Sequence, residues 1–528
     1  MLPLLASKEK TVRYRSTQLI AHIINSLESI DDEYYHLLKV GLLKRTKDKE
    51  PMIRVQAVLG LGRLAGNEDD GGQDNADSDD DEASGLSERL LEILQHDPSA
   101  DVRRSLLLNL PLTPSTLPYL LERARDVDSA TRRALYSRLL PALGDFRHLS
   151  LSMREKLLRW GLRDRDENVR KATARLFRER WIEDCAGPRT ADEGRPADEG
   201  RPAGEAAPPS VDGLLELLER IDVVNSAGEH GVAGEAMREF WIGRPDYCDA
   251  MSFENAFWDS LTPESVFLAR SFNDFCRQDG EPKLESLAEE KMPEVTKLAF
   301  FLQRYMNNLV DCLKRNDADG SGEGEDEDTV ELEFVVEQLL HIAKSLDYSD
   351  EVGRRKMFSL MRETLAIAGL PDEITKLAID VLRDVCGADA AGEREFCGVV
   401  LEAVAEVHDT ISNEEDNAND EDESFHSAQS EMSGTTPTKA SNKQNGVRAN
   451  SVDGEEDEAK AIKEIVINMK CLHIAQCMLQ NVEDNLQQNI HLVTMLNNLV
   501  VPAVRSHEAP IRERGLLCLG LCCLLDKV

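Results

Sequence analysis

Bases, rather than nucleophiles, are the residues of this chain that are placed to do chemistry. Lys39, Lys44, Arg45, Lys47 and Lys49 crowd the turn leading into a helix at Met52. Arg163, Arg165, Arg170, Lys171 and Arg175 crowd an equivalent turn and helix. Such clusters hold phosphate oxyanions through charge and N–H donors, without reading bases. Acids stand among them (Asp48, Glu50, Asp164, Asp166, Glu167), so a solvated, salt-bridged face is the competing reading.

Catalytic and metal signals are poor. No HExxH, P-loop, GxSxG or cysteine-rich metal spacing occurs in the sequence. Cys471-Leu472-His473 with Cys477 resembles a ligand set, but it sits on an apolar helical run and reads as core. His507-Glu508 resembles the paired ligands of helical-repeat iron hydroxylases, which need several such pairs, and this chain has one. The reading is therefore a non-enzyme with no cofactor, no metal and no small-molecule substrate.

The elements that position these bases come from a repeat. Asp or Ser, four variable residues, Val/Ile/Thr and then Arg recur at Ser7–Arg13, Asp48–Arg54, Asp97–Arg103, Asp126–Arg132, Asp164–Arg170 and Ser506–Arg512, with a degenerate copy at Asp347–Val352 where Gly353 replaces Arg. The early arginines are spaced 41, 49, 29 and 38 residues apart. An apolar run of helical period follows each copy. A period near forty with one helix start per unit implies an all-α, HEAT-repeat solenoid, a curved superhelical array of helical hairpins. The Asp or Ser is expected as the N-cap of the second helix of each hairpin. The Arg is read as structural, pairing with the cap Asp of a neighbouring repeat, and is set aside as a ligand contact. Turns stacked on one edge would align the basic clusters into a strip.

Charge divides along the chain. Formal net charge is -37, yet residues 1–66 and 89–184 together carry 30 bases and 21 acids, a net of +9. That basic arm keeps polyanion binding open where the total alone would exclude it. Eleven scattered cysteines without a CxxC pair fit buried free thiols of a reducing compartment. No apolar run reaches membrane-spanning length, and the start is too short in apolar residues for a signal peptide.

Helical repeats are expected at 1–66, 88–185, 211–315 and 329–411. Acidic or Pro/Gly tracts at 67–87, 186–210, 316–328 and 412–458 are expected to be disordered loops and linkers. The tract 186–210 holds ADEGRP twice. The final block, 459–528, is helical and stops inside an apolar helix, whereas a stacked array should end in a polar cap, so the reading is a fragment or truncated gene model.

Three segments are more specific than any single repeat. Lys47-Asp48-Lys49-Glu50-Pro51-Met52-Ile53-Arg54-Val55-Gln56-Ala57, Ala256-Phe257-Trp258-Asp259-Ser260-Leu261-Thr262-Pro263-Glu264-Ser265-Val266-Phe267-Leu268-Ala269-Arg270, and Lys470 through Lys527 together resemble condensin subunit 3, the CAP-G-type HEAT family, with 459–528 similar to the start of its carboxy-terminal domain. The resemblance implies a non-catalytic, condensin I-type subunit that binds the kleisin subunit and double-stranded DNA, reaches the SMC subunits indirectly, and supports mitotic chromosome condensation. It places the protein in the nucleus and on mitotic chromosomes, with a cytoplasmic pool. The family carries further helices before the first residue and a longer domain after the last. The alternative is a HEAT-repeat nuclear transport receptor, importin-β-like, holding basic cargo. The sign of charge on the inner helices of 8–180 separates the two. The DNA-binding candidates are Lys39, Lys44, Arg45, Lys47, Lys49, Arg163, Arg165 and Lys171. Thr436, in Thr436-Pro437-Thr438-Lys439, suits a cyclin-dependent kinase; Ser78 and Ser412, each followed by acids, suit an acid-directed kinase.

Overall fold

The computed structural model describes residues 2–27, 30–68, 85–186, 208–228, 231–278, 280–319, 325–417 and 453–526. The fold is the expected all-α HEAT-repeat solenoid; among the described residues no strand occurs. It divides into two compact units, Met1–Met251 and Ser252–Val528. The boundary falls inside the stretch 211–315 that the sequence reads as one helical block.

In the first unit the motif-bearing helices Lys10–Ser26, Pro51–Glu68, Ala100–Asn109, Ser129–Ala134 and Glu167–Arg175 pack in succession, and Ala233–Gly243 continues the row. Asp32–Arg45, Leu86–His96, Leu117–Leu121 and Leu151–Leu162 alternate with them as the first helices of the hairpins. The row is built on the residue just before each motif Arg: Ile53, Val102, Thr131 and Val169 are each fully buried. Close approach sets two glycines. A Cβ on Gly60 would meet Leu42 Cδ1 at 2.8 Å, and one on Gly161 would meet Thr173 Oγ1 at 2.2 Å. Phe146 stacks on Trp181 with ring centroids 4.8 Å apart, and Phe177 meets Phe240 edge-on, extending the core toward the last helices of the unit.

The motif residue is not the N-cap. Asp48, Asp97, Asp126 and Asp164 each stand two residues before it, and each Oδ1 accepts the N–H of the N-cap residue (Glu50 at 3.1 Å, Ser99 at 2.8 Å, Asp128 at 2.9 Å, Asp166 at 2.8 Å). Ser7 and Ser506 make the same bond to Glu9 and Glu508. This is an Asx- or Ser-turn, which the same residue types favour for the same reason as a cap: a short side-chain acceptor within reach of nearby N–H groups. In two repeats the true cap is a second acid, Asp128 to Thr131 N–H and Asp166 to Asn168 N–H, both at 2.8 Å.

In the second unit, Pro263–Gln278, Glu325–Lys344, Asp372–Cys386, Asp453–Gln480 and Ala509–Leu525 form one row, and Val295–Asp319, Glu351–Leu365 and Ala390–Asn417 form the other. The signature around Trp258 is a core anchor. Trp258 is 1% exposed and stacks on Phe301, while Tyr305 Oη donates to Trp258 O at 3.2 Å and accepts Leu261 N–H at 2.7 Å. The degenerate copy at Asp347 precedes Glu351–Leu365, a helix of the opposite row. Its turn is real, with Ser349 N–H on Asp347 Oδ1, but Gly353 is required by contact: a Cβ there would lie 2.9 Å from Val295 Cβ.

Several expected loops are shorter than read. Val295–Asp319 and Glu325–Lys344 are both helical, leaving 320–324, where Gly320, Gly322 and Gly324 fall, outside the described residues. Ala390–Asn417 likewise runs into the acidic tract, because no Gly or Pro interrupts the chain between Gly398 and Gly434. Leu86, read as loop, is buried at the start of Leu86–His96. The remainders, 69–84, 187–207 and 418–452, lie outside the described residues. Among the described residues no helix is long and apolar enough to cross a membrane.

Candidate nucleic-acid interface

An arginine–aspartate ladder fixes where the bases stand. Arg13 donates Nε and Nη2 to Asp48 Oδ2 and Oδ1 at 2.8 and 3.3 Å. Arg54 grips Asp97 at 2.8 and 2.9 Å, Arg103 grips Asp126 at 2.8 and 2.7 Å, and Arg132 grips Asp164 at 2.6 and 2.9 Å. Each Nη1 turns back to the carbonyl six residues earlier (Ser7, Asp48, Asp97, Asp126), which holds the guanidinium edge toward the next repeat. The structural reading of these four arginines holds. Burial alone would raise the carboxyls of Asp48, Asp126 and Asp164, but the arginine fork, the turn N–H and the nearby positive charges outweigh it, so all three titrate below the ordinary carboxylate range.

Because each rung joins one motif turn to the next, the turns from Ser7 to Asp164 lie along one edge of the first unit. The ladder carboxylates face inward, and the residues flanking them face out. Lys47, Lys49 and Arg165 are exposed flanking residues with no ion-pair partner among the described residues, as is Lys44 one turn earlier. Lys8, also exposed, stands at the register of Lys49 and Arg165, directly after the motif residue; Arg125, over the Trp160 ring at 5.6 Å, stands at that of Lys47 and Arg163. Sequence reading missed Lys8 and Arg125, although their place beside the motif residue was legible.

The other candidates are engaged. Arg45 pairs with Asp48 at 3.0 Å and is 19% exposed. Lys39 lies over the Tyr35 ring at 5.9 Å. Lys171 pairs with Glu167 at 2.6 Å. Arg163 bonds Glu235 Oε1 and Gly231 O, both at 2.8–2.9 Å, tying its turn to the next hairpin. Ser412 falls in the last turns of Ala390–Asn417, and Ser78 and Thr436 lie outside the described residues.

The shared row of helices is also basic. Arg15, Arg63, Arg133 and Arg138 are exposed on it or on the turn that follows Ser129–Ala134, as is Arg175, which pairs with Glu179 at 2.7 Å, whereas Asp101 and Glu167 are the exposed acids among its described side chains from Lys10 to Arg175. That sign is opposite to the one a receptor of basic cargo requires. Sequence reading missed Arg63, Arg133 and Arg138, whose signal is only their place on the polar side of an apolar helical stripe.

The metal look-alike is core. Cys471 and Cys477 are buried, and burial pushes their thiols up to about 11 and about 12. His473 Nε2 bonds Asp372 O at 2.9 Å. Among the described residues no group of His, Cys, Asp and Glu is arranged to hold a metal.

Comparison with known proteins gives a consistent answer. Residues 470–528 match the family described as nuclear condensing complex subunits, C-terminal domain. Condensin complex subunit 3 of Schizosaccharomyces pombe is 38% identical over 99% of this chain and 53% of its own length; that of Saccharomyces cerevisiae is 31% identical over 98% and 49%; that of Homo sapiens is 25% identical over 99% and 50%. The chain thus spans about half the length of the curated relatives it matches. The crystal structure of the S. pombe condensin Cnd3–Cnd2 subcomplex superposes with a TM-score of 0.72 at 35% identity, covering 99% of this chain and 54% of the other. Sequence and fold together, over the half of those relatives that it spans, show that the chain belongs to the condensin complex subunit 3 family.

Proposed function

We propose that this chain is a non-catalytic condensin subunit that binds the kleisin subunit and, through phosphate contacts without base readout, double-stranded DNA, and so supports mitotic chromosome condensation in the nucleus. The observation that carries the DNA reading is the ladder edge, where Lys44, Lys47, Lys49 and Arg165 stand exposed with no ion-pair partner among the described residues, while Asp48 and Asp164 are held by ladder arginines and Glu50 by Lys10. Backbone phosphates need only such charge in a row. Partner binding is supported by the solved relative, crystallised as a Cnd3–Cnd2 subcomplex. The SMC subunits are reached through the kleisin.

The test is a salt series of duplex binding by this chain co-expressed with its kleisin. Reversing Lys44, Lys47 and Lys49 to Glu should flatten the slope of log K against log salt by at least the roughly 0.9 per phosphate contact expected for each lost lysine. Arg45 is left intact, since its role at Asp48 is structural. An unchanged slope with the fold intact returns these residues to a solvated face and leaves kleisin scaffolding as the function.

A further inference from the structure

Arg170 occupies the ladder position of its repeat but has no rung. Its Nη1 bonds Asp164 O at 2.7 Å, as the other ladder arginines bond their own carbonyls, so its guanidinium is tethered in the same way. Arg13, Arg54, Arg103 and Arg132 then spend Nε and Nη2 on the aspartate of the next repeat. Among the described residues nothing accepts from Nε or Nη2 of Arg170, and the side chain is exposed. The cause is in the sequence. Ala233–Gly243 is the next helix of the row, with N-cap Val232, so the ladder aspartate should stand at 230 and the ladder arginine at 236; those positions are His230 and Ala236. A histidine cannot accept a bidentate guanidinium fork. The joint is made instead by Arg163, through Glu235 and Gly231 O. Arg163 therefore does the structural work assigned by pattern to Arg170, and Arg170 is released.

We propose that the open Nε/Nη2 edge of Arg170 is a preorganised phosphate clamp, gripping one backbone phosphate of double-stranded DNA beside Arg165. This rests on the DNA reading above and assigns a residue to it that the repeat pattern excludes. A fork already held by its own carbonyl loses little freedom on binding, which favours a bidentate contact over a mobile lysine. The surroundings favour phosphate over a partner's carboxylate. Asp164 is neutralised by Arg132 and Glu167 is paired with Lys171; Asp166 keeps its charge on the Asn168 N–H, so that Arg165 and Arg170, with no ion-pair partner among the described residues, leave this turn net positive.

The experiment compares wild type, R170A, R170K and the Lys44/Lys47/Lys49 triple Glu variant, each co-expressed with the kleisin, on a fluorescein-labelled 25-base-pair duplex of arbitrary sequence, well below every melting temperature. The expected result for R170A is a log–log salt slope flatter by about 0.9, so that the wild-type advantage shrinks about 3.5-fold between 50 and 200 mM salt. R170K should keep much of that slope, since its charge remains, yet bind more weakly than wild type at each salt. R170A should melt with wild type, whereas R132A, which breaks a rung, should melt early. A slope unchanged in R170A but flattened in the triple variant overturns the clamp and leaves the DNA reading standing. No salt-dependent binding by wild type overturns both. Loss of kleisin binding in R170A with duplex binding intact assigns the fork to a carboxylate and overturns the proposal.

Discussion

Asp126→Ala should destabilise the first unit by about 4 kcal/mol. The Asp126 side chain is 1% exposed and receives Arg103 at 2.8 and 2.7 Å and the Asp128 N–H at 2.9 Å. Without it Arg103, 11% exposed, keeps only Nη1 on Asp97 O at 2.7 Å. Stranding one member of a buried pair costs roughly 3–5 kcal/mol, and the orphaned turn N–H adds about 1 kcal/mol. Water reaching the freed edge of Arg103 offsets part of the sum. The double variant Asp126→Ala with Arg103→Met should cost less than Asp126→Ala alone, because the Arg103 charge is then removed, while Arg123, the second partner of Asp126 at 3.4 Å, keeps Glu122 and Leu94 O. Acid sensitivity supplies a second readout. Asp126 titrates below its ordinary value, so its contribution is complete above the unfolded carboxyl value of 3.8 and is lost as pH falls through the lower folded value. The variant lacks that acid limb. Urea unfolding followed by tryptophan fluorescence reports chiefly the first unit, which holds Trp160, Trp181 and Trp241, the second holding Trp258. A loss below about 1 kcal/mol, or a double variant as unstable as the single, would refute the account of the ladder as desolvated ion pairs rather than exposed ones.

Further outcomes follow from particular contacts. Gly161→Ala places a Cβ 2.2 Å from Thr173 Oγ1 and should cost about 1–3 kcal/mol, with Gly161→Ala/Thr173→Ala recovering much of it in the same urea assay. Tyr305→Phe removes one donor and one acceptor from the Trp258 anchor and should destabilise the second unit by about 1–2 kcal/mol, read by Trp258 emission. Burial, then Glu373 and Glu333, pushes the Glu337 carboxyl up to about 7; its contribution is complete below its unfolded value of 4.5 and lost as pH rises through about 7, so Glu337→Gln should stabilise the protein more at pH 8 than at pH 5 by thermal melting. A thiol reagent should label exposed Cys523 first in the native protein, with the nine buried cysteines reacting only on unfolding.

The sequence made the first unit legible because its repeats are marked by polar residues with fixed jobs. An Asp that must close a turn and an Arg that must reach the next Asp cannot drift in spacing, so pattern alone located the helix starts to within two residues, and the ladder with them. What pattern could not show is which arginines complete a rung. Arg163 makes the joint that the pattern assigns to Arg170, since the register position of the next ladder aspartate, 230, is His, a departure visible only once the next helix start is known. The second unit carries one full copy of the mark, Ser506–Arg512, near its end. Its rows are held by buried apolar side chains and by individual pairs such as Lys344 with Asp380 and Arg383 with Glu393, which have no common spacing. Of the two copies there, Ser506–Arg512 opens a helix of the expected row, with Arg512 Nη1 on Ser506 O at 3.1 Å, while the degenerate Asp347 copy belonged to the opposite row. Loop lengths were overestimated where acidity was taken for disorder, since the acidic stretches 316–319 and 325–328 are helical. Of the DNA candidates, charge and spacing could not separate Lys44, Lys47, Lys49 and Arg165, which have no ion-pair partner among the described residues, from Arg45, Arg163 and Lys171, whose partners lie three, seventy-two and four residues away.

The two kinds of joint differ in how they carry load. A bidentate guanidinium–carboxylate rung is stiff and short-ranged, and stretching it by little more than an ångström forfeits both hydrogen bonds at once. Four such rungs run hairpin to hairpin through the first unit, while among the described residues of the second unit no such rung occurs and the rows meet chiefly through apolar side chains, which can slide and repack. Pulled along its row of helices, the first unit should yield as a brittle body, at high force and in few steps. The second should be compliant, lengthening gradually before it opens.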